Sequence, residues 1–151
     1  MTAVEVARNG SKTRQEPVST RNPLMVASVG IPDDATTLVD GTIGVAATAV
    51  ATLATAATEQ AWLSEVIVSG LGATAAGSTL LTIAGCEGED IVVTLPVPAG
   101  ATVAMVPFVL RFEPALRAAT GDDITATITT FGVGNTRSEV TAIGFKVAAQ
   151  P

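Results

Sequence analysis

A chain of 151 residues that is 48% hydrophobic can bury a core of its own, but with 3% aromatics that core has to be built from small aliphatic side chains. Its one cysteine, Cys86, excludes an intrachain disulfide, and the lack of histidine removes both the commonest general base and the commonest transition-metal ligand; there is no tyrosine either. The net charge of −6 is unevenly placed: residues 1–22 carry Arg8, Lys12, Arg14 and Arg21 against Glu5 and Glu16, a net of +2, and the remainder carries four bases against twelve acids, a net of −8.

Residues 1–23 are polar, broken at Asn9-Gly10 and Glu16-Pro17, and hold neither a helical nor a strand period. They are expected to form an extended N-terminal arm, with a β-domain over 24–151. No apolar core of the signal-peptide kind lies in residues 1–21, so the chain is expected to be made in the cytoplasm and not secreted by such a signal. From Leu24 the texture changes. Residues 24–29 predict a short strand, and Pro32-Asp33-Asp34 and Asp40-Gly41 are turn signals.

Short runs then recur, each ended by Gly, Pro or Asp: 45–57, 61–69, 78–84, 90–97, 101–112, 124–131 and 138–148. The first is Ala-rich, so helix competes with strand there. Broken by Thr48, Thr52 and Thr55, it is also too short to span a bilayer, and no membrane partner is expected. Ile91, Val93, Leu95 and Val97 fall on one face of their run. So do Ala104, Val106, Phe108, Leu110 and Phe112, then Ile124, Ala126 and Ile128, and finally Thr141, Ile143, Phe145 and Val147. Pro107 marks its run as an edge strand or a bulge, and residues 114–118 predict one helical turn. This pattern predicts an all-β fold, an antiparallel β-sandwich or jelly roll of about eight strands.

The candidates for chemistry are few. Glu87, Glu89 and Asp90 share one turn, Asp122 and Asp123 another, Asp33 and Asp34 a third, none with the spacing of a calcium loop; each reads as a solvated turn. Cys86 has acidic neighbours, which disfavour the thiolate a nucleophile needs. The Gly70–Gly77 turn lacks the Lys-Ser/Thr ending of a phosphate loop. An acidic body without basic–aromatic clusters argues against nucleic acid. No catalytic residue, cofactor or metal is expected. What the chain offers instead is flat, weakly charged strands, a positive mean hydropathy, and a basic arm whose Arg8, Lys12, Arg14 and Arg21 suit acidic partner surfaces.

The order of elements from about 42 to 148 resembles the small β-sandwich virion proteins of tailed bacteriophages and gene transfer agents, such as capsid decoration (cement) and head-fibre proteins. The residues that carry the resemblance are Trp62-Leu63-Ser64-Glu65-Val66-Ile67-Val68-Ser69, Thr79-Leu80-Leu81-Thr82-Ile83, Val97-Pro98-Ala99-Gly100-Ala101-Thr102, the segment 114–122, and Ala142-Ile143-Gly144-Phe145. The resemblance implies a non-enzymatic virion subunit and a homo-oligomer, commonly a trimer, attached to the major capsid protein or other virion subunits; the charge of the basic arm leads to the separate expectation that it docks on neighbouring subunits. Alternatives are a tail, neck or baseplate subunit, or a receptor- or carbohydrate-binding fibre module using Trp62 or the 70–77 turn.

Overall fold

The computed structural model describes residues 31–32 and 34–149. The arm with Arg8, Lys12, Arg14 and Arg21, and the strand expected at 24–29, lie outside the described residues. Eight strands follow in chain order: β1 (Thr36–Gly44), β2 (Ala49–Leu53), β3 (Glu59–Gly70), β4 (Gly77–Ala84), β5 (Ile91–Val97), β6 (Phe108–Arg117), β7 (Ile124–Ile128) and β8 (Ser138–Ala148). There is no helix among the described residues.

The strands form two four-stranded sheets, β1-β8-β3-β6 and β2-β7-β4-β5, and every pairing is antiparallel. Consecutive strands β1 and β2 pair with β8 and β7, and β3 and β4 with β6 and β5. The chain is thus a long hairpin rolled over on itself, the jelly roll. Its core is the inward row of each strand: Leu53, Leu63, Val66, Val68, Leu81, Ile83, Leu95, Ile124, Ile128 and Val140 are all at most 2% exposed. Alanines at 49, 51, 61, 126 and 142 are wholly buried in the same layer, so two sheets with few aromatics still close to van der Waals contact.

Four local expectations are corrected. Asp40-Gly41 is no turn but the middle of β1, paired with Ala142 and Thr141. The run 45–57 contributes only the five residues of β2, as strand. The run 101–112 becomes strand only at Phe108, and residues 114–117, expected as a helical turn, continue β6 as strand paired to β3. Trp62↔Arg117 and Leu63↔Leu116 hold them in the sheet, a long-range pairing that local propensity cannot anticipate. The edge reading of Pro107 agrees with the topology, since β6 is an edge strand and Pro107 immediately precedes it.

Asp40 explains why a turn signal became a strand. Its carboxylate accepts the N–H of Thr52 at 2.7 Å, and the Thr42 hydroxyl donates to the carbonyl of Val50 at 2.6 Å. Two β1 side chains thereby satisfy the free backbone edge of β2 and tie the sheets together along one side. Asp40→Ala is expected to lower the unfolding free energy by about 1–3 kcal/mol, because the Thr52 N–H loses its acceptor in a half-buried place. Chemical denaturation of the two proteins measures this, and an unchanged midpoint would show that water replaces the carboxylate.

Candidate functional site

The turns at one end of the sandwich carry five of the seven acidic residues singled out above; Asp34 stands just before β1, and Asp33 lies outside the described residues. Glu87, Glu89 and Asp90 lie between β4 and β5, and Asp122 and Asp123 precede β7. The two groups are neighbours: Gly85 packs against the Asp123 backbone, and Arg117 at the end of β6 pairs with Glu87 at 2.7 Å. Asp123 serves the fold, accepting the Thr55 N–H at 2.8 Å. No group of three or more Asp, Glu, Cys or His placed to hold a metal ion occurs among the described residues. Cys86 is half-buried, and burial first, then the negative charge of Asp90, pushes its thiol above the usual range, so at neutral pH it remains protonated.

Trp62 lies on the outer face of the first sheet. It stacks on Phe145 of β8, with ring centroids 5.9 Å apart and planes within 6°, and the Arg117 guanidinium lies 6.0 Å from its ring centre on the β6 side. Protein groups flank the indole on both sides, so it is not an open platform. The 70–77 turn is likewise committed internally. The Asn135 amide donates to the carbonyls of Leu71 at 2.7 Å and Arg137 at 3.1 Å, and Ala73 bridges to Ala99.

Charge separates the two sheets. The first carries Asp40, Glu59, Glu65, Arg111, Glu113, Arg117, Glu139 and Lys146 within its strands. Its outer face is laced with pairs: Arg111 with Glu65, Arg137 with Glu139, and Lys146 with Glu59. Glu139 accepts from Arg137 at 2.6 Å and from Ser69 at 2.8 Å, and these two bonds, the Arg137 one foremost, hold its carboxyl below the usual glutamate range. A carboxyl lowered on folding adds stability that is complete above its unfolded pKa, about 4.3, and is lost as pH falls through the lower folded value. Glu139→Gln is therefore expected to cost no more than about 1 kcal/mol at neutral pH, the pair being partly exposed. The melting curves of the two proteins should converge as pH falls below about 4.3 and through the lower folded value. A gap that stays constant over that range would mean that the pair contributes nothing through its charge.

The second sheet has no ionisable residue in any of its four strands. Its outer face is built in register from Val50, Thr127, Thr82 and Val92 in one row, Thr52, Thr125 and Ala84 in the next, and Leu80 beside Thr94. Val50, Leu80 and Val92 are 40%, 43% and 58% exposed. The loops at one end of this sheet, 45–48, 71–76, 98–107 and 129–136, contain no charge either, whereas the opposite end holds the five turn carboxylates. Between the free edges of β5 and β6 a groove of about 430 Å³ opens, lined by Leu95, Pro96, Val97, Met105, Pro107 and Phe108 among others.

No family model and no curated protein matches the chain. Among solved structures, two of the exo-β-1,3-galactanase from Phanerochaete chrysosporium, both variants with β-1,3-galactotriose, are similar at 12% and 13% identity. The similarity covers 72% and 76% of this chain, 27% and 30% of the enzyme, with a TM-score of 0.29 in each case. The chain therefore spans less than a third of that enzyme's length, and at this similarity neither activity nor ligand passes from one to the other.

Proposed function

We propose that this chain is a non-enzymatic structural subunit of a virion, a capsid decoration or cement protein whose jelly roll packs against other subunits. The observation that carries the reading is the charge-free outer face of β2-β7-β4-β5, with Val50, Leu80 and Val92 exposed on it. A protein that works alone in water protects such a face with Lys and Glu; a subunit that is covered in its assembly has no need to. The basic residues Arg8, Lys12, Arg14 and Arg21 support the same reading, because a positively charged arm suits the acidic surface of a neighbouring subunit. The resemblance of segments such as 62–69 and 114–122 to phage virion proteins supplies the kind of particle.

Mass spectrometry of particles purified from the host that encodes the chain tests the assignment. The protein is expected in the particle at a fixed ratio to the major shell subunit, and to fall away when residues 1–23 are deleted. Its absence from particles in a host that expresses it would overturn the virion reading.

A further inference from the structure

We infer that the outer face of β2-β7-β4-β5 is covered by a second copy of this chain, related by a two-fold axis that runs across the strands. The inference rests on the reading of the chain as an assembling subunit and names the surface and symmetry it uses. Three observations carry it.

The first is electrostatic. Two copies of an acidic protein repel, and the described part of each carries its carboxylates on the first sheet, on one set of turns and, at Asp34, just before β1. The second sheet is the one broad face on which two copies meet without bringing carboxylates together.

The second is orientation. Glu87, Glu89, Asp90, Asp122 and Asp123 crowd one end of this sheet, with Arg117 the basic residue paired there, and the loops at the other end are uncharged. A two-fold axis along the strands would set the two acidic ends against each other. An axis across the strands sets each acidic end against a neutral one, so charge selects the second arrangement. It also brings β4 of one copy over β4 of its partner, with the neighbourhood of Thr82 near the axis.

The third is area. Four strands at about 4.8 Å spacing and about 3.4 Å per residue give a face on the order of 400 Å² in each copy, most of the roughly 1000 Å² in total that a specific interface needs. The flanking neutral loops supply the remainder. Thr side chains at 52, 82, 94, 125 and 127 add hydrogen-bonding groups that can pair across the face without burying a charge.

The test uses the full chain, 15.1 kDa per copy, in sedimentation equilibrium over a range of concentrations. The expected result is a dimer, or a higher even-numbered state built from dimers. Thr82→Lys and, at the sheet edge, Thr94→Lys should raise its dissociation constant at least about thirtyfold, because each buries an unpaired charge. Val39→Lys, on the exposed outer face of the first sheet, should leave it within about twofold. Circular dichroism shows that each variant is folded. Mixing Thr82→Lys with Thr82→Glu should restore the dimer, since position 82 lies near its partner copy's own. A trimer, or a dimer indifferent to both second-sheet variants, overturns the assigned surface and leaves the subunit reading standing. A wild-type monomer at all concentrations overturns the pairing itself. Loss of the protein from particles, the separate measurement above, bears on the virion reading alone.

Discussion

Gly144→Ala is expected to cost about 3 kcal/mol or more and to leave little folded protein at 37 °C. Gly144 is buried in β8, the strand paired on both sides, by β1 and by β3. Its partner in β3 is Leu63, just before Ser64 enters as an extra residue and the register shifts. That bulge presses the carbonyl of Trp62 into the space a Cβ would fill at 144, and the Cδ1 of Leu53 lies 2.8 Å from the same point. The methyl group would meet a backbone oxygen that cannot rotate away, and relief would require breaking the β3–β8 pairing at the centre of the sheet. Gly77→Ala is the matched control. It stands at the start of β4 with nothing within 4 Å of its would-be Cβ and no positive φ, so the change should be neutral or stabilise by about 0.4–1 kcal/mol. Thermal and urea unfolding of both variants decide the matter. A stable Gly144→Ala protein would mean that the bulge at Ser64 is not as described.

Leu81→Ala should destabilise by about 2–5 kcal/mol. Leu81 is fully buried on the inward row of β4, opposite Ile128 in β7 and Val93 in β5. The neighbours that would have to move to fill the void are β-branched or held in strands, so the cavity should persist. The adjacent residue gives the comparison. Thr82 faces outward, and a change there should barely alter the stability of the single chain while altering its association. Urea denaturation at a protein concentration low enough to keep the chain monomeric separates the two effects. Equal losses at positions 81 and 82 would contradict the alternation of β4.

Much of the fold was readable one segment at a time. Strand residues alternate with a period of two whenever one face is buried, and β4, β5, β7 and β8 lie within or at the runs read for them, β8 from Ser138 to Ala148 without a residue's difference. Where reading failed, a distant partner outweighed a local rule. Asp40-Gly41 has turn chemistry, but the Asp40 carboxylate is used by the Thr52 N–H twelve residues on. Residues 114–117 look like a helical turn, yet they pair with Trp62 and Leu63. The strand expected over the whole of 101–112 starts late because Leu71 and Gly70 take up Ala104 and Met105 outside any strand.

Read one residue after another, the chain is already an all-β protein with an aliphatic core, its charge divided between a basic first segment and an acidic remainder, and its runs around 78–84, 91–97 and 124–128 free of charged residues. These are properties of composition and of local period, and neither depends on which strand lies beside which. Long-range strand pairing is what gathers those uncharged runs, with β2, into one sheet and the charged strands into the other. It also brings the carboxylates of two separate turns together at one end. The physical reason is that strand order is set by closing loops and burying faces over long separations, where many pairings satisfy the same alternation and only the packed core selects among them.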